Sequence, residues 1–326
     1  MSLRTTLVTG GAGFIGSHLR GHLISQGDRV IALDNFDPFY PVSRKERNLT
    51  ALASTDSFTL EQGDVRNVDK IRATIETNGV DRIAHLAARA DVRPSIDAPT
   101  LCYDVNVAGT AAVLEAARAT GVQDLVLASS SSVYGDAATP FSEEGTTLRP
   151  VSPYAASKRG MEMVAETHAR LHGLNALCLR LFTIYGPRQR PDMAIAKFVR
   201  RVRRGDPIEM YGDGTSQRDY TFVGDAVRGI GTVLDRAGNL DVDVINVGSN
   251  RPAELRTLID AIGRAVGQEP VVWQSPTQPG DVKVTHAAID RAQSLLGYEP
   301  RVSLEEGLQR YAAWARSSCL ADSVTE

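Results

Sequence analysis

The stretch from Gly10 to Gly16 constrains this chain more than any other. A short apolar run, Leu3 to Thr9, leads directly into Gly10-Gly-Ala-Gly13-Phe14-Ile15-Gly16, and an amphipathic segment follows to about Gln26. Glycines at this spacing permit a tight turn, let the backbone approach a pyrophosphate, and allow a helix to pack closely on a strand. The helix N-terminus then favours negative charge. Glycines alone would say little, but here they sit between a strand and a helix. A second apolar run, Arg29 to Leu33, ends in Asp34, at the distance where a carboxylate accepts hydrogen bonds from an adenosine ribose. Asn35 and Phe36 follow, with no arginine to meet a 2′-phosphate, so the expected dinucleotide is NAD rather than NADP.

Further strands are expected at Phe58 to Gln62 and Asp81 to Ala87. Asp64 and Val65 follow the first of these, placed to meet the adenine. At the end of the second, His85-Leu86-Ala87-Ala88 offers a small-residue edge against which the cofactor can lie. A long helix, Asp104 to Thr120, carries Asn106, a further cofactor candidate. Strands alternating with helices predict an α/β fold, a Rossmann-type doubly wound parallel sheet. The basic run Lys45 to Arg47 reads as a solvated surface helix.

The 326 residues can bury a large core, and a net charge of −3 gives no reason to expect nucleic acid or an anionic membrane as partner. No apolar run approaches the roughly 18 residues a membrane span needs. Three scattered cysteines, with no CxxC, read as reduced thiols of a cytoplasmic protein. His168 and His172 stand four apart on a helix, but no third ligand accompanies them and no metal is expected.

The chemistry centres on Ser129 to Lys158. The apolar run Asp124 to Ala128 reads as a buried strand that ends in a serine cluster, where ligands bind in open α/β sheets. Pro153 suits a first helical turn, and Tyr154 and Lys158, four apart, share one helix face. An ammonium and a nicotinamide cation beside the phenol would lower its pKa and make a base that works near neutrality.

Together TGGAGFIG, HLAA, SSSSVYG, YxxxK and RLFTIYGPRQRPDM resemble the extended short-chain dehydrogenase/reductases that act on nucleotide sugars, over essentially the whole chain. The resemblance implies a catalytic set of Tyr154 as base, Lys158 as its electrostatic partner and ribose ligand, and Ser130 as the hydroxyl that completes the set. It implies an NAD-binding part, 1–180 plus 220–248, and a smaller discontinuous α/β lobe for the nucleotide sugar, 181–219 plus 249–326. Arg218 would meet the substrate diphosphate, and Lys197, Phe198 and Asp281 are further substrate-side candidates. A homodimer through the helices at 104–120 and 153–172 is also implied.

Dehydratases of this family carry an Asp-Glu pair after the catalytic hydroxyl, and decarboxylases a glutamate; here Ser131 and Ser132 stand there. Without that acid–base pair the simplest fate of a 4-keto sugar is to turn over and take its hydride back, a redox-neutral 4-epimerization. Thr183 in place of a commoner asparagine, the Arg190-Pro-Asp-Met segment and the DNFDPFYP loop are similar to those of UDP-glucuronate 4-epimerases. In them the equivalents of Thr183, Arg190, Ser131 and Ser132 hold the sugar carboxylate, and Arg93 matches another active-site arginine. UDP-glucose or UDP-GlcNAc is the alternative sugar; a UDP-glucuronate decarboxylase or a nucleotide-sugar dehydratase is the alternative reaction.

Overall fold

The computed structural model describes residues 4–50, 56–144, 148–240, 243–277 and 282–322. Strand β1 (Thr5–Thr9) is followed by helix α1 (Phe14–Ser25), then β2 (Arg29–Asp34), α2 (Val42–Thr50), β3 (Phe58–Gln62), β4 (Arg82–His85), β5 (Asp124–Ser130) and β6 (Asn175–Leu181). These six strands and Val244–Val247 form one sheet, in the order β3-β2-β1-β4-β5-β6 and then Val244–Val247. Every pairing in it is parallel. A sheet covered on both faces needs apolar side chains at successive positions, which is why β1 reads as an unbroken apolar run. Leu7 joins the core on one face and Val8 the core on the other.

The register aligns the functional ends. Thr9 pairs with Leu33 and with His85, and Ser130 lies opposite Leu181. The carboxyl ends of β1, β2, β4 and β5 therefore open on one edge of the sheet. The helix Pro153–His172 begins beside that edge. The Ser152 hydroxyl caps it by accepting the N–H of Ala155 at 3.1 Å, Pro153 takes the first position, and Gly173 ends it in the left-handed conformation. The expected helix from Asp104 is part of a longer run: Pro99–Tyr103, a π-helical turn at Asp104–Ala108, then Gly109–Thr120.

Beyond the sheet, Thr183–Tyr185, Gln217–Phe222 and Pro252–Glu254 form a three-stranded sheet, and Ile208–Tyr211 pairs with Val272–Ser275. The carboxylate of Asp219, fully buried, ties the returning segments together by accepting the N–H groups of Ser249, Asn250 and Ala287 at 2.7, 3.0 and 3.1 Å. One apolar cluster runs from Val8 and Phe14 through Phe141 and Phe182 to Ile262, Leu308 and Tyr311. The two parts thus share a core.

Candidate active site

The glycine loop is packed as its spacing predicts. A Cβ on Gly16 would lie 2.2 Å from the Gly10 carbonyl oxygen, so α1 can approach β1 this closely only with glycine there. Helix α1 starts at Gly13, whose added Cβ would meet only the Gly10 carbonyl, and no side chain caps the first turn. An uncapped helix N-terminus with open space before it is a cradle for phosphate. At the end of β2 the buried Asp34 carboxylate accepts the Ala12 N–H at 3.1 Å and the Phe36 N–H at 2.9 Å. These features fit a dinucleotide, with Gly13, Phe14, Ile15 and Gly16 at the pyrophosphate and Asp34 at a ribose.

Lys45 departs from the expected solvated helix. It is buried, and its ammonium lies 3.3 Å from Asp34 and 5.3 Å from the ring centre of Tyr40. Asn48, one turn on, donates to the Ala12 carbonyl at 2.9 Å. Helix α2 thus turns one basic residue inward to neutralise Asp34 and leaves Arg44, Glu46 and Arg47 on its outer side. Of the other cofactor candidates, Asn35 donates to Asp64 at 3.0 Å, and hydrogen bonds from Arg66 hold the Asp64 carboxyl far below the usual range. Val65 is buried in the core. The Leu86 and Ala87 N–H groups bond to the carbonyl and the hydroxyl of Thr9, both at 3.2 Å, and Ala88 continues that edge. Asn106, in the π-turn, is buried and grips the backbone of Arg89: its Oδ1 accepts the N–H at 2.8 Å and its Nδ2 donates to the carbonyl at 3.1 Å.

Ser130 and Tyr154 meet at the end of β5. Burial raises the Tyr154 phenol above its ordinary value of 10; a hydrogen bond from Ser130 and the charge of Arg190 pull it back. In the protein without its cofactor desolvation outweighs these helpers; the expected depression also needs the nicotinamide cation. Lys158 lies deeper in the site. Its ammonium donates to the Ala128 carbonyl at 2.6 Å, and burial lowers its pKa to about 8. The Ser132 N–H bonds to the Ser130 hydroxyl at 3.1 Å, while the Ser132 hydroxyl is buried with no protein partner among the described residues. Ser131 begins the 3-10 turn beside them.

Arg190, whose charge acts on Tyr154, is already engaged. Its Nε and Nη2 donate to Asp192 at 3.2 and 2.8 Å, its Nη1 to the Ala90 carbonyl at 2.9 Å, and Nη2 also reaches Asp91 at 3.4 Å. Burial raises the Asp91 carboxyl, against the pull of Arg190. Phe39 lies between two guanidinium groups, 4.6 Å from Arg89 and 5.1 Å from Arg190, and Arg89 is ion-paired to Asp37 at 2.6 Å. Asp192 and Phe39 lie inside the Arg190-Pro-Asp-Met and DNFDPFYP stretches without having been singled out as site residues, and Asp91 and Arg89 were not singled out at all.

Thr183 heads its strand, half-buried. Arg93 is exposed and lies over the Tyr211 ring at 5.3 Å, toward the smaller lobe. Arg218 donates to the Gln217 carbonyl at 2.9 Å, Lys197 is exposed, and Phe198 packs on the core. Asp281 lies outside the described residues. Among those residues no cluster of three metal-ligating side chains occurs, and no helix is long and apolar enough to cross a membrane.

The NAD dependent epimerase/dehydratase family matches residues 6–248. The UDP-glucuronate 4-epimerase of Thermodesulfobacterium geofontis is 38% identical over 96% of each chain. The crystal structure of a Bacillus cereus UDP-glucuronic acid 4-epimerase, in complex with UDP-glucuronic acid and NAD, has a TM-score of 0.88 at 31% identity, covering 96% of this chain and 99% of that one. A Thermotoga maritima UDP-glucose 4-epimerase with UDP-glucose gives 0.87 at 32%, over 97% and 99%. A family model that spans most of the chain and a relative 38% identical over nearly its whole length agree: this chain belongs to the NAD dependent epimerase/dehydratase family.

Proposed function

We propose that the protein is an NAD-dependent UDP-sugar 4-epimerase that converts UDP-glucuronate to UDP-galacturonate. The observation that carries this is the Ser130–Tyr154 pair with hydroxyls at 131 and 132, where an elimination would need carboxylates. NAD, when bound, supplies a hydride acceptor and donor at sugar C4. Tyr154 takes the C4 hydroxyl proton and later returns it. Ser130 donates a hydrogen bond that stabilises the phenolate, and Lys158, at about 8, is charged at neutral pH and adds positive potential nearby. Between the two transfers the 4-keto sugar turns over. The unpartnered Ser132 hydroxyl, with Ser131, Thr183 and Arg190, suits an anionic C6 group, since hydroxyls and a guanidinium bind carboxylate.

A second reading has its own support: Arg190 is neutralised by Asp91 and Asp192, which favours a neutral UDP-hexose. Work in the cytoplasm as a homodimer belongs to the same proposal; exposed Met163 and Leu171 on the helix Pro153–His172 support the dimer. The test is incubation of NAD-loaded protein with UDP-glucuronate, followed by mass spectrometry and chromatography. A new isomer of unchanged mass, with no added reductant, is the expected result. Loss of carbon dioxide, or stoichiometric NADH release, overturns it.

A further inference from the structure

Asp91 has φ +143° and ψ +141°, a backbone region that favours glycine. A residue with a Cβ stays there only where its surroundings over-determine it. They do so here. Asn106 holds both backbone groups of Arg89, and Arg190 holds the Ala90 carbonyl at 2.9 Å, so the chain is fixed up to the residue before Asp91. The Asp91 carboxylate is thereby delivered to Arg190 Nη2 at 3.4 Å.

The contacts of Arg190 are unequal. Asp192 engages Nε and Nη2 together, at 3.2 and 2.8 Å, which sets the plane of the guanidinium. Asp91 makes one long contact. All three nitrogens are engaged by the protein, so a carboxylate arriving at Arg190 gains a place most readily by displacing Asp91. The displaced carboxylate is two-thirds buried at its side chain and sits on a restrained backbone, so it stays close to Arg190. Two carboxylates then face one another across a half-buried site, and like charges at such a place repel. A neutral sugar does not meet this penalty.

We propose that Asp91 is a specificity-determining residue, a built-in carboxylate that occupies the place on Arg190 which a uronate carboxylate would take, so that it weakens binding of the acid relative to the neutral sugar. The proposal rests on the reading of Arg190 as the grip on the sugar C6 group. Asp192 is the positioning partner that keeps Arg190 aimed, and Asp91 is the tuning group.

The experiment compares UDP-glucuronate and UDP-glucose by titration calorimetry on NAD-loaded protein, in a Tyr154→Phe background so that neither sugar reacts. Asp91→Asn removes the charge at constant size, and Asp91→Gly removes it while relieving the backbone. Each is expected to shift the ratio of the two dissociation constants toward the acid on the order of tenfold, the size of one Coulomb contact in a partly hydrated site. An unchanged ratio in Asp91→Asn, or a shift toward the neutral sugar, overturns the proposal. Turnover of UDP-glucuronate by the unmodified protein is measured separately and reports on the function alone. Turnover with an unchanged ratio removes Asp91 and leaves the epimerase; no turnover with a shifted ratio does the reverse.

Discussion

On the glycine-loop side of the cleft, Asp34 and Asn48 are buried and tied to the backbone of Ala12 and Phe36. On the sugar side, charged side chains answer one another: Arg190 with Asp91 and Asp192, Arg89 with Asp37, and Phe39 between the two arginines. Backbone partners move only if the fold moves, so the cofactor side is set before any ligand arrives. Side-chain ion pairs can change partners while the fold stays in place, at a cost set by how buried the displaced group is. One side is suited to a constant ligand and the other to discrimination among sugars.

The largest effect should come from the seam between the two sides. Tyr154→Phe keeps the ring and the Ser152 cap while deleting the base. Turnover is expected to fall roughly 10²–10⁴-fold, the usual contribution of a general base, while affinity for NAD and for the UDP-sugar stays close to that of the unmodified protein. Retention of more than about a tenth of the rate would remove Tyr154 from the chemistry. Loss of NAD binding would mean that cofactor and sugar sides are less separate than their contacts imply.

Arg190→Ala breaks the sugar side alone. Oxidation at C4 of a glucuronate makes a β-keto acid, which loses carbon dioxide when its carboxylate turns so that the ketone can receive the electrons. An epimerase has to let the ring rotate while that carboxylate stays fixed. Removing one charge-assisted contact is expected to cost about 1.5–3 kcal/mol in UDP-glucuronate binding, roughly ten- to a hundredfold, and far less for UDP-glucose. It should also raise the share of decarboxylated 4-keto-pentose among the products. NAD affinity should hold, since Asp34 is held by the Ala12 and Phe36 N–H groups and by Lys45. Equal losses for both sugars would take Arg190 out of the carboxylate site.

The same division explains what could be read in the sequence. Gly10, Gly13 and Gly16 were legible because a backbone requirement narrows the permitted residues to one or two, and Asp34 because a carboxylate ends the second strand at the spacing a ribose needs. Tyr154 and Lys158 were legible because their helical spacing carries the geometry. Lys45 was misread as solvated from the charge of its neighbours, although Lys45, Asn48 and Leu49 fall on one helix face and are all buried. Asp91 left no mark, since nothing in Ala-Asp-Val-Arg signals a positive φ on a residue with a Cβ. The π-turn at Asp104–Ala108 was equally silent, because one extra residue in a turn hardly disturbs a helical pattern. Partner choice on the sugar side is a tertiary matter: Arg190 meets Asp91 across 99 residues of chain.

Lys158 gives the smallest effect and the sharpest test of the seam, since it is a cation held like the groups of the cofactor side. Its ammonium is buried, with the Ala128 carbonyl at 2.6 Å and the Met161 sulfur at 3.8 Å. Burial lowers its pKa from 10.5 to about 8; the nearby Cys102, Cys178 and Glu162 offset only part of this. Between those two values the unfolded chain binds the proton more readily than the folded one, so stability rises with pH across that window. Below about 8 the whole penalty is present, roughly 3 kcal/mol for a depression of this size. Lys158→Met removes it, together with a charge-assisted hydrogen bond worth about 1.5–3 kcal/mol, so at pH 7 the cofactor-free variant should be at least as stable as the unmodified protein, by ~0–1.5 kcal/mol. The gap should close as pH rises from 8 toward 10, because the unmodified lysine then becomes neutral in the folded state. Turnover should be lost throughout, since the charge beside Tyr154 is gone. Chemical denaturation at several pH values checks this. A variant less stable than the unmodified protein at pH 7, or a gap that does not change with pH, would mean that Lys158 sits comfortably as a cation.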